Sequence, residues 1–387
     1  MKWETMKLSD CCASIADGDH QPPPKSEQGV PFVTIANINS YNEFDFNDTM
    51  FVPQEYYDRL DGKRKAQNGD VLYSVVGSFG IPVLIKDTTP FVFQRHIAIL
   101  RPDTSLVLPE FLYYTMLSRD FYAKADAVAL GAAQRTISLT SLRNIRIDIP
   151  AIDYQKKIVS ILSSYDHLIN NNQKQIKLLE EAAQRLYKEW FINLRFPGHE
   201  TTPIVNGVPE GWKKGMISEI VEYYDKIRKP LSSIERKAFQ GKYKYYGAAG
   251  VLDHVKEFLY DGTFLLMGED GTVITPYGTP VLQYVSGKFW VNNLLKGKKP
   301  YSTEFVYMMF NQLQVKDIVT GVAQPKISQA RLSQKGIIIP SIGLVLEYSK
   351  KTDSIFKSII LLSERIEILQ QARNRLLPKL MSGEIEV

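Results

Sequence analysis

Cysteine is nearly missing from this chain: 387 residues hold two, Cys11 and Cys12. Neighbours in sequence are poorly placed to bridge each other, so no disulfide framework is expected and a reducing cytoplasm is the expected setting. Adjacent cysteines and five scattered histidines give no zinc spacing, and no metal is expected. Apolar runs of the ~20 residues that span a bilayer are also missing, so no membrane association is expected. The first twenty residues carry Asp10, Asp17 and Asp19 and no apolar block, unlike a signal peptide. With 44% hydrophobic and 23% charged residues, the chain is not a disordered tail, a collagen or a rod. At ~150 residues per domain its length suits two or three domains.

A strong excess of one charge is absent as well. The net charge is +5, weak evidence by itself for a polyanion partner. Its distribution is uneven. Residues 1–150 hold 15 basic and 18 acidic side chains, net −3, whereas residues 201–340 hold 18 and 12, net +6. Any nucleic-acid contact in the first part must therefore use local basic patches.

What the chain does have is a repeat. The segment Gly131-Ala-Ala-Gln-Arg-Thr-Ile-Ser through Ile149-Pro150-Ala-Ile152 recurs, without a gap, as Gly321-Val-Ala-Gln-Pro-Lys-Ile-Ser through Ile339-Pro340-Ser-Ile342. Ten of the 22 aligned positions are identical. A repeat of this kind organises the whole fold. After each copy comes a long heptad seam. In the first, Ile158, Leu162, Tyr165, Ile169, Asn172, Ile176, Leu179, Ala183, Leu186 and Trp190 alternate spacings of four and three. The matching positions in the second include Ile355, Ile359, Leu362, Ile366, Leu369 and Leu376. Asn172 is the one polar slot of the first seam; it either fixes register or lies solvated at the seam's edge. A seam of ~33 residues spans roughly 50 Å. Ten successive heptad positions are more regular than packing on one domain requires, so the two helices are expected to pair.

Before each repeat stands a β-rich segment: Pro31–Ile38, Val71–Val76, Val83–Lys86 and Phe91–Leu100, then Thr263–Met267, Val281–Val285 and Phe289–Leu295. The expected class is α+β: two mixed α/β modules, residues 1–150 and 200–340, and two long helices, 151–199 and 341–387. If those helices pair antiparallel, the modules are related by a pseudo-two-fold axis. Two like modules at a fixed distance suit an extended, nearly two-fold partner, such as duplex DNA with two half-sites.

Four motifs carry a family resemblance over essentially the full length. They are Ile15-Ala-Asp-Gly-Asp-His20 with Gly29-Val-Pro-Phe32; Tyr245-Tyr-Gly-Ala-Ala-Gly250 with Leu265-Leu-Met-Gly-Glu-Asp-Gly271 and Phe289-Trp-Val-Asn-Asn293; the repeated Gly-x-Ala-Gln-x-x-Ile-Ser block; and Leu376-Leu-Pro-Lys-Leu-Met-Ser-Gly-Glu-Ile385. The chain resembles the specificity subunit of type I restriction–modification enzymes. That resemblance implies a non-catalytic protein with two target-recognition domains, each reading half of a bipartite, asymmetric DNA sequence in the major groove. It implies an antiparallel coiled coil that sets the spacer and docks two methyltransferase subunits, with motor–nuclease subunits joining for cleavage. S-adenosylmethionine, ATP and Mg are then expected only on those partners. One position departs from the family's Pro-x-x-x-Gln helix start: Gln155 fits, but Val345 replaces the second Gln.

The motifs of catalysis are missing, as that reading requires. There is no Asn/Asp-Pro-Pro-Tyr loop for a methyltransferase and no Gly-x4-Gly-Lys-Ser/Thr phosphate cradle. Pro102-Asp103 lacks the downstream acidic-x-Lys of a nuclease. Base readout needs Arg or Lys for guanine and Asn or Gln for adenine. Candidates are His20, Gln21 and Lys25; the run Lys63-Arg64-Lys65; Arg95-His96, aligning roughly with Asn292-Asn293, both on aromatic-rich strands; and Lys226, Arg228, Lys229, Lys242, Lys244 and Tyr245, where cations stand beside aromatics. For each the competing role is structural or solvated. Gly18 is expected to make a tight turn beside Asp17. The rival to DNA recognition is an adaptor whose coil joins two protein-binding modules.

Overall fold

A computed structural model of the chain describes residues 3–387 apart from 19, 21, 40, 48, 132–134, 225–228, 248–249, 269–271, 292 and 322–324. The chain forms two compact units, 1–170 with 366–387, and 171–365. Both limits fall inside long helices, whereas the sequence limits near 150 and 340 mark where those helices begin. The central helix runs Ile152–Tyr187 and adds one π-helical turn, Lys188–Ile192. The C-terminal helix runs Ile342–Met381.

In the first unit, an antiparallel sheet takes the order Cys12–Asp17, Ile97–Pro102, Val71–Ser74, Pro82–Leu84. A second sheet sets Val30–Val33 between Met50–Val52 and Val92–Phe93, the latter pair parallel. Trp3–Lys7 pairs with Arg146–Pro150 in a two-stranded ribbon. The start of the central helix meets the end of the C-terminal helix here, which is antiparallel pairing. Tyr154 donates to the carbonyl of Ile385 at 3.0 Å and Asp166 pairs with Arg373 at 2.5 Å. Ile158, Leu162, Leu377 and Leu380 share one core with Leu8, Phe111 and Ile147. Each such side chain, fully buried, stabilises by roughly 1.5–3 kcal/mol.

The second unit repeats this topology with one change. Its sheet takes the order Val221–Tyr223, Leu294–Gly297, Tyr260–Met267, Leu282–Trp290, Gln240–Gly247, Gly250–Val255. Leu282–Trp290 does alone what two strands do in the first unit: it pairs antiparallel with Tyr260–Met267 and parallel with Gln240–Gly247. In the first unit a turn at Asp87–Thr89, held by the Asp87 carboxylate on the Thr89 amide, divides the equivalent strand and hence the sheet. The end of the central helix and the start of the C-terminal one meet around Tyr348, whose hydroxyl donates to the Ala183 carbonyl at 3.0 Å. Tyr187, Trp190 and Phe191 pack their rings on it.

The repeated sequence is now explained residue by residue. Gly131 and Gly321 both take the left-handed backbone, φ 96° and 83°, that only glycine adopts freely. Leu130 and Thr136 exchange two backbone hydrogen bonds, as do Thr320 and Lys326. Ile137 and Ile327 are buried; Ser138 and Ser328 cap the helices Leu139–Asn144 and Gln329–Ser333; Leu142 and Leu332 are wholly buried. The helix N-cap explains the repeated serine, because its oxygen satisfies an amide the helix leaves open.

Several strand limits differ from the sequence reading. Phe91–Leu100 is two strands in different sheets, parted by the Arg95–His96 turn. Conversely, Ser286-Gly287 reads as a turn but lies within one strand. Gly287 faces Gly262 across the ladder, both at positive φ, so the strand distorts without leaving the sheet. Pro31–Ile38 stops at Val33, because Asn37 turns the chain by accepting from the Thr34 amide.

Candidate nucleic-acid interface

In the first unit Lys63, Arg64 and Arg143 line a cleft of about 470 Å³, with Cys12, Asp17 and Asp61 among others. Two of the sequence candidates meet there through Asp17. His20 lies 2.7 Å and Arg64 3.7 Å from its carboxylate. The Asp61 carboxylate accepts the Lys63 amide and so fixes the short turn Gly62–Arg64 that presents the cations. Arg143, absent from the sequence candidates, donates to the Ile15 carbonyl at 2.6 Å and closes the rim. The Arg64 side chain is 34% and that of Asp17 16% exposed, and at 3.7 Å their contact is long, so a phosphate can compete for the guanidinium. Gly18 is needed for a reason other than a tight turn. A side chain there would strike the backbone of Phe93 and Gln94 at 2.2–2.5 Å. Its backbone φ is not positive.

The remaining candidates of this unit are dispersed. Lys65 is turned away, its Nζ donating to the Asp58 carbonyl at 2.9 Å over the Tyr57 ring. Lys25 is exposed on a loop. Arg95 and His96 form the turn entering Ile97–Pro102 instead of standing on a strand; Arg95 is exposed and His96 half-buried. Burial first, and Arg95 second, hold the His96 imidazole below its usual pKa. Gln21 lies outside the described residues, as does Gln134. Asp103 caps a turn through Ser105, whose hydrogen bonds hold its pKa down.

In the second unit Tyr245 is not a surface residue. It is buried, its hydroxyl accepting from the Leu231 amide at 3.1 Å and its ring beneath the Arg236 guanidinium. The strand Gln240–Gly247 alternates faces, and Tyr245 falls on the inner one. Lys242 and Lys244 take the other face, Lys242 exposed beside the Tyr243 ring. Lys229 lies over the Trp290 ring at 5.9 Å, and its carbonyl accepts from the Trp290 indole. Asn293 sits in the turn between two strands, half-buried, the counterpart of the Arg95–His96 turn. Lys226, Arg228, Asn292 and Gln324 lie outside the described residues.

Each module is also fastened to its helix segments by polar joints that sequence reasoning passes over. In the first unit Tyr114 donates to Asp166 at 2.6 Å, and Asp166 pairs with Arg373. Burial, and the Asp166 charge after it, push the Tyr114 hydroxyl far above the usual range. This joint borders a cavity of about 960 Å³ lined by polar groups including Asn42, Arg119, His167, Gln371 and Arg375. In the second unit Tyr307 donates to Glu180 at 3.3 Å, and Glu180 has no cation partner among the described residues. Burial raises its pKa. Gln155 is wholly buried, donating to the Pro150 and Leu106 carbonyls and accepting from the Leu108 amide. Val345, its counterpart, is wholly buried in an apolar core instead.

The seam positions are placed as follows. Ile158, Leu162, Ile169, Asn172, Ile359 and Ile366 are buried. Tyr165, Ile176, Leu179, Leu186, Ile355, Leu362, Leu369 and Leu376 are half-buried. Asn172 is 3% exposed and its amide nitrogen lacks a partner among the described residues, which does not fit a solvated edge. No group of three metal-ligating side chains occurs among the described residues, and no helix among them is long and apolar enough to cross a membrane.

Two modules of one topology, each with exposed cations and each fastened to its own helix segments, define a protein built from a duplicated α+β recognition module. The chain belongs to the type I restriction modification DNA specificity family, whose domain matches residues 1–181 and 209–370. Its DNA-recognition role fits that family. It is 24% identical to the type I restriction enzyme MjaIX specificity subunit of Methanocaldococcus jannaschii, over 100% of this chain and 94% of that protein. It is equally 24% identical to the putative MjaX specificity subunit of the same organism, with the same coverage. The crystal structure of the type I restriction-modification system S subunit from M. genitalium shares the fold, with a TM-score of 0.53 at 16% identity, covering 98% of this chain and 96% of that one.

Proposed function

We propose that this protein is the non-catalytic, sequence-reading subunit of a type I restriction–modification enzyme. It binds a bipartite, asymmetric duplex sequence. Each module reads one half-site in the major groove, and the paired helices fix the spacer and dock two methyltransferase subunits. Motor–nuclease subunits complete the cleaving enzyme. S-adenosylmethionine, ATP and Mg act on those partners, and base flipping belongs to the methyltransferases.

The observation that carries this reading is the recurrence of one strand order in both units, each with its own loop cations and its own share of the same two helices. One protein that must read two unlike half-sites needs the same frame twice with different loops. The Arg64–Arg143 cleft supplies phosphate contacts that position the duplex without reading it.

The test exchanges residues 1–145 for those of a relative and maps methylated positions in a host carrying its methyltransferase. One half-site should change and the other stay. A change in both halves would contradict the modular reading. The adaptor alternative predicts no salt-sensitive DNA affinity at all, even with methyltransferase present.

A further inference from the structure

Tyr277 is 84% exposed, more than any other large apolar or aromatic side chain among the described residues. Single exposed aromatics are ordinary on loose loops. Tyr277 stands instead at a tied tip, residues 273–280, on the connection between the strands Tyr260–Met267 and Leu282–Trp290. The Thr275 amide donates to the Thr279 carbonyl at 2.8 Å, their hydroxyls meet at 2.8 Å, and the Gly278 amide donates to the Thr275 carbonyl at 2.9 Å. From outside the hairpin, Gln314 donates to the Tyr277 carbonyl at 3.1 Å, and the Val315 amide to the Gly278 carbonyl at 2.9 Å. Pro276 and Pro280 stiffen its two sides. Gly278 has φ 85°, and a side chain there would strike Gln314 and Lys316. The ring is thus held out by a fixed backbone, so little further ordering is needed when it meets a partner.

The first unit uses the equivalent loop, between Val71–Ser74 and Pro82–Leu84, in the opposite way. Its aromatic, Phe79, is 9% exposed and stacks on Tyr122 at 5.3 Å and 4°, with the Arg135 guanidinium 5.9 Å from its ring centre. One loop position, then, is packed away in one module and projected in the other.

The surroundings of Tyr277 favour nucleic acid over protein. Lys316, exposed and without an ion pair among the described residues, lies beside the tip. Residues 201–340 carry the chain's basic excess, 18 minus 12. Leu266 pairs with Leu294, so the end of the strand Tyr260–Met267 lies next to Asn293, a candidate for base contact.

We propose that Tyr277 is an aromatic wedge that enters the base stack of the half-site read by the second unit, with Lys316 on the flanking phosphate. This rests on the proposed function and adds to it a deformation of the duplex at one half-site only. Side chains inserted between base steps unstack and kink DNA, so the base pairs at the step are selected by how easily they open.

The test uses the full chain, purified with and without methyltransferase subunits, and duplexes carrying the sequence defined by methylation mapping. 2-Aminopurine replaces each adenine of the second half-site in turn. The wild-type chain should raise the fluorescence at one step. Tyr277→Ala should abolish that rise and weaken binding roughly 5- to 150-fold, the range for loss of one stacked base. Tyr277→Phe should keep both, and an unchanged circular dichroism spectrum shows that the alanine variant is folded. An alanine variant with wild-type affinity and fluorescence would overturn the wedge while leaving DNA reading intact. So would one that binds DNA normally but no longer copurifies with methyltransferase, which would make Tyr277 a protein contact. A wild-type chain with no salt-sensitive DNA affinity would instead sink the proposed function itself.

Discussion

In the proposed function the cleft lined by Arg64 and Arg143 positions DNA on the first unit. Arg64→Ala with Arg143→Ala should weaken binding about equally on all duplexes and reduce the slope of log K against log salt by roughly two. Unchanged slope with altered sequence preference would make them base contacts instead. Arg64 is legible in the sequence because Lys63-Arg64-Lys65 is a basic run; Arg143 is not, because its neighbours 141–145 give no such cluster. Tyr245 was misplaced for a related reason. Lys242, Tyr243, Lys244 and Tyr245 alternate charge and ring, so the alternation is evident but not how deeply each ring is covered. That depends on Leu231 and Arg236, which pack on Tyr245 from another segment. Gln155 shows the opposite case. Its motif was recognisable, and its three hydrogen bonds assign it to joining helix and module within the first unit.

The joints between helices and modules decide how rigidly each module is carried. The first has a carboxylate neutralised by Arg373; the second has Glu180, with only a 3.3 Å hydrogen bond from Tyr307. Because burial raises the Glu180 pKa, its folded carboxyl keeps a proton to higher pH than in the unfolded chain. The stability this gives is present at low pH and is lost as pH rises through the folded value. Glu180→Gln should therefore flatten the pH dependence above the ordinary carboxylate range and stabilise the protein at neutral pH. Thermal melts from pH 4 to 8 check this; a glutamine variant less stable than wild type at neutral pH would contradict it. At this scale the helices were the most legible part, since a heptad seam is a pattern internal to one segment. The strands were legible as regions but not as units. Gly287 continues a strand because Gly262 lies opposite it, and Arg95–His96 breaks one, and both outcomes are set by a partner strand distant in sequence.

For the whole molecule, the repeat was the decisive signal, because ten identities at a fixed offset require two copies of one frame. The frame's buried isoleucines, capping serines and left-handed glycines recur because each solves a local problem that both copies share. The two frames differ most in their loops: Gly77–Gly80 packs Phe79 away, whereas the Tyr277 hairpin projects its ring. The target sequence itself has no such legible code. It depends on loop side chains meeting base edges and on the flexibility of the duplex.

The central claim, that one pair of helices measures the distance separating two half-sites, is tested most directly by removing one heptad from each. The loss shortens the coil by about 10 Å, near three base pairs. Mapping of methylated positions in a host expressing this variant should then return the same two half-sites with a spacer shorter by about three base pairs. The original spacer, retained together with altered bases, would contradict it.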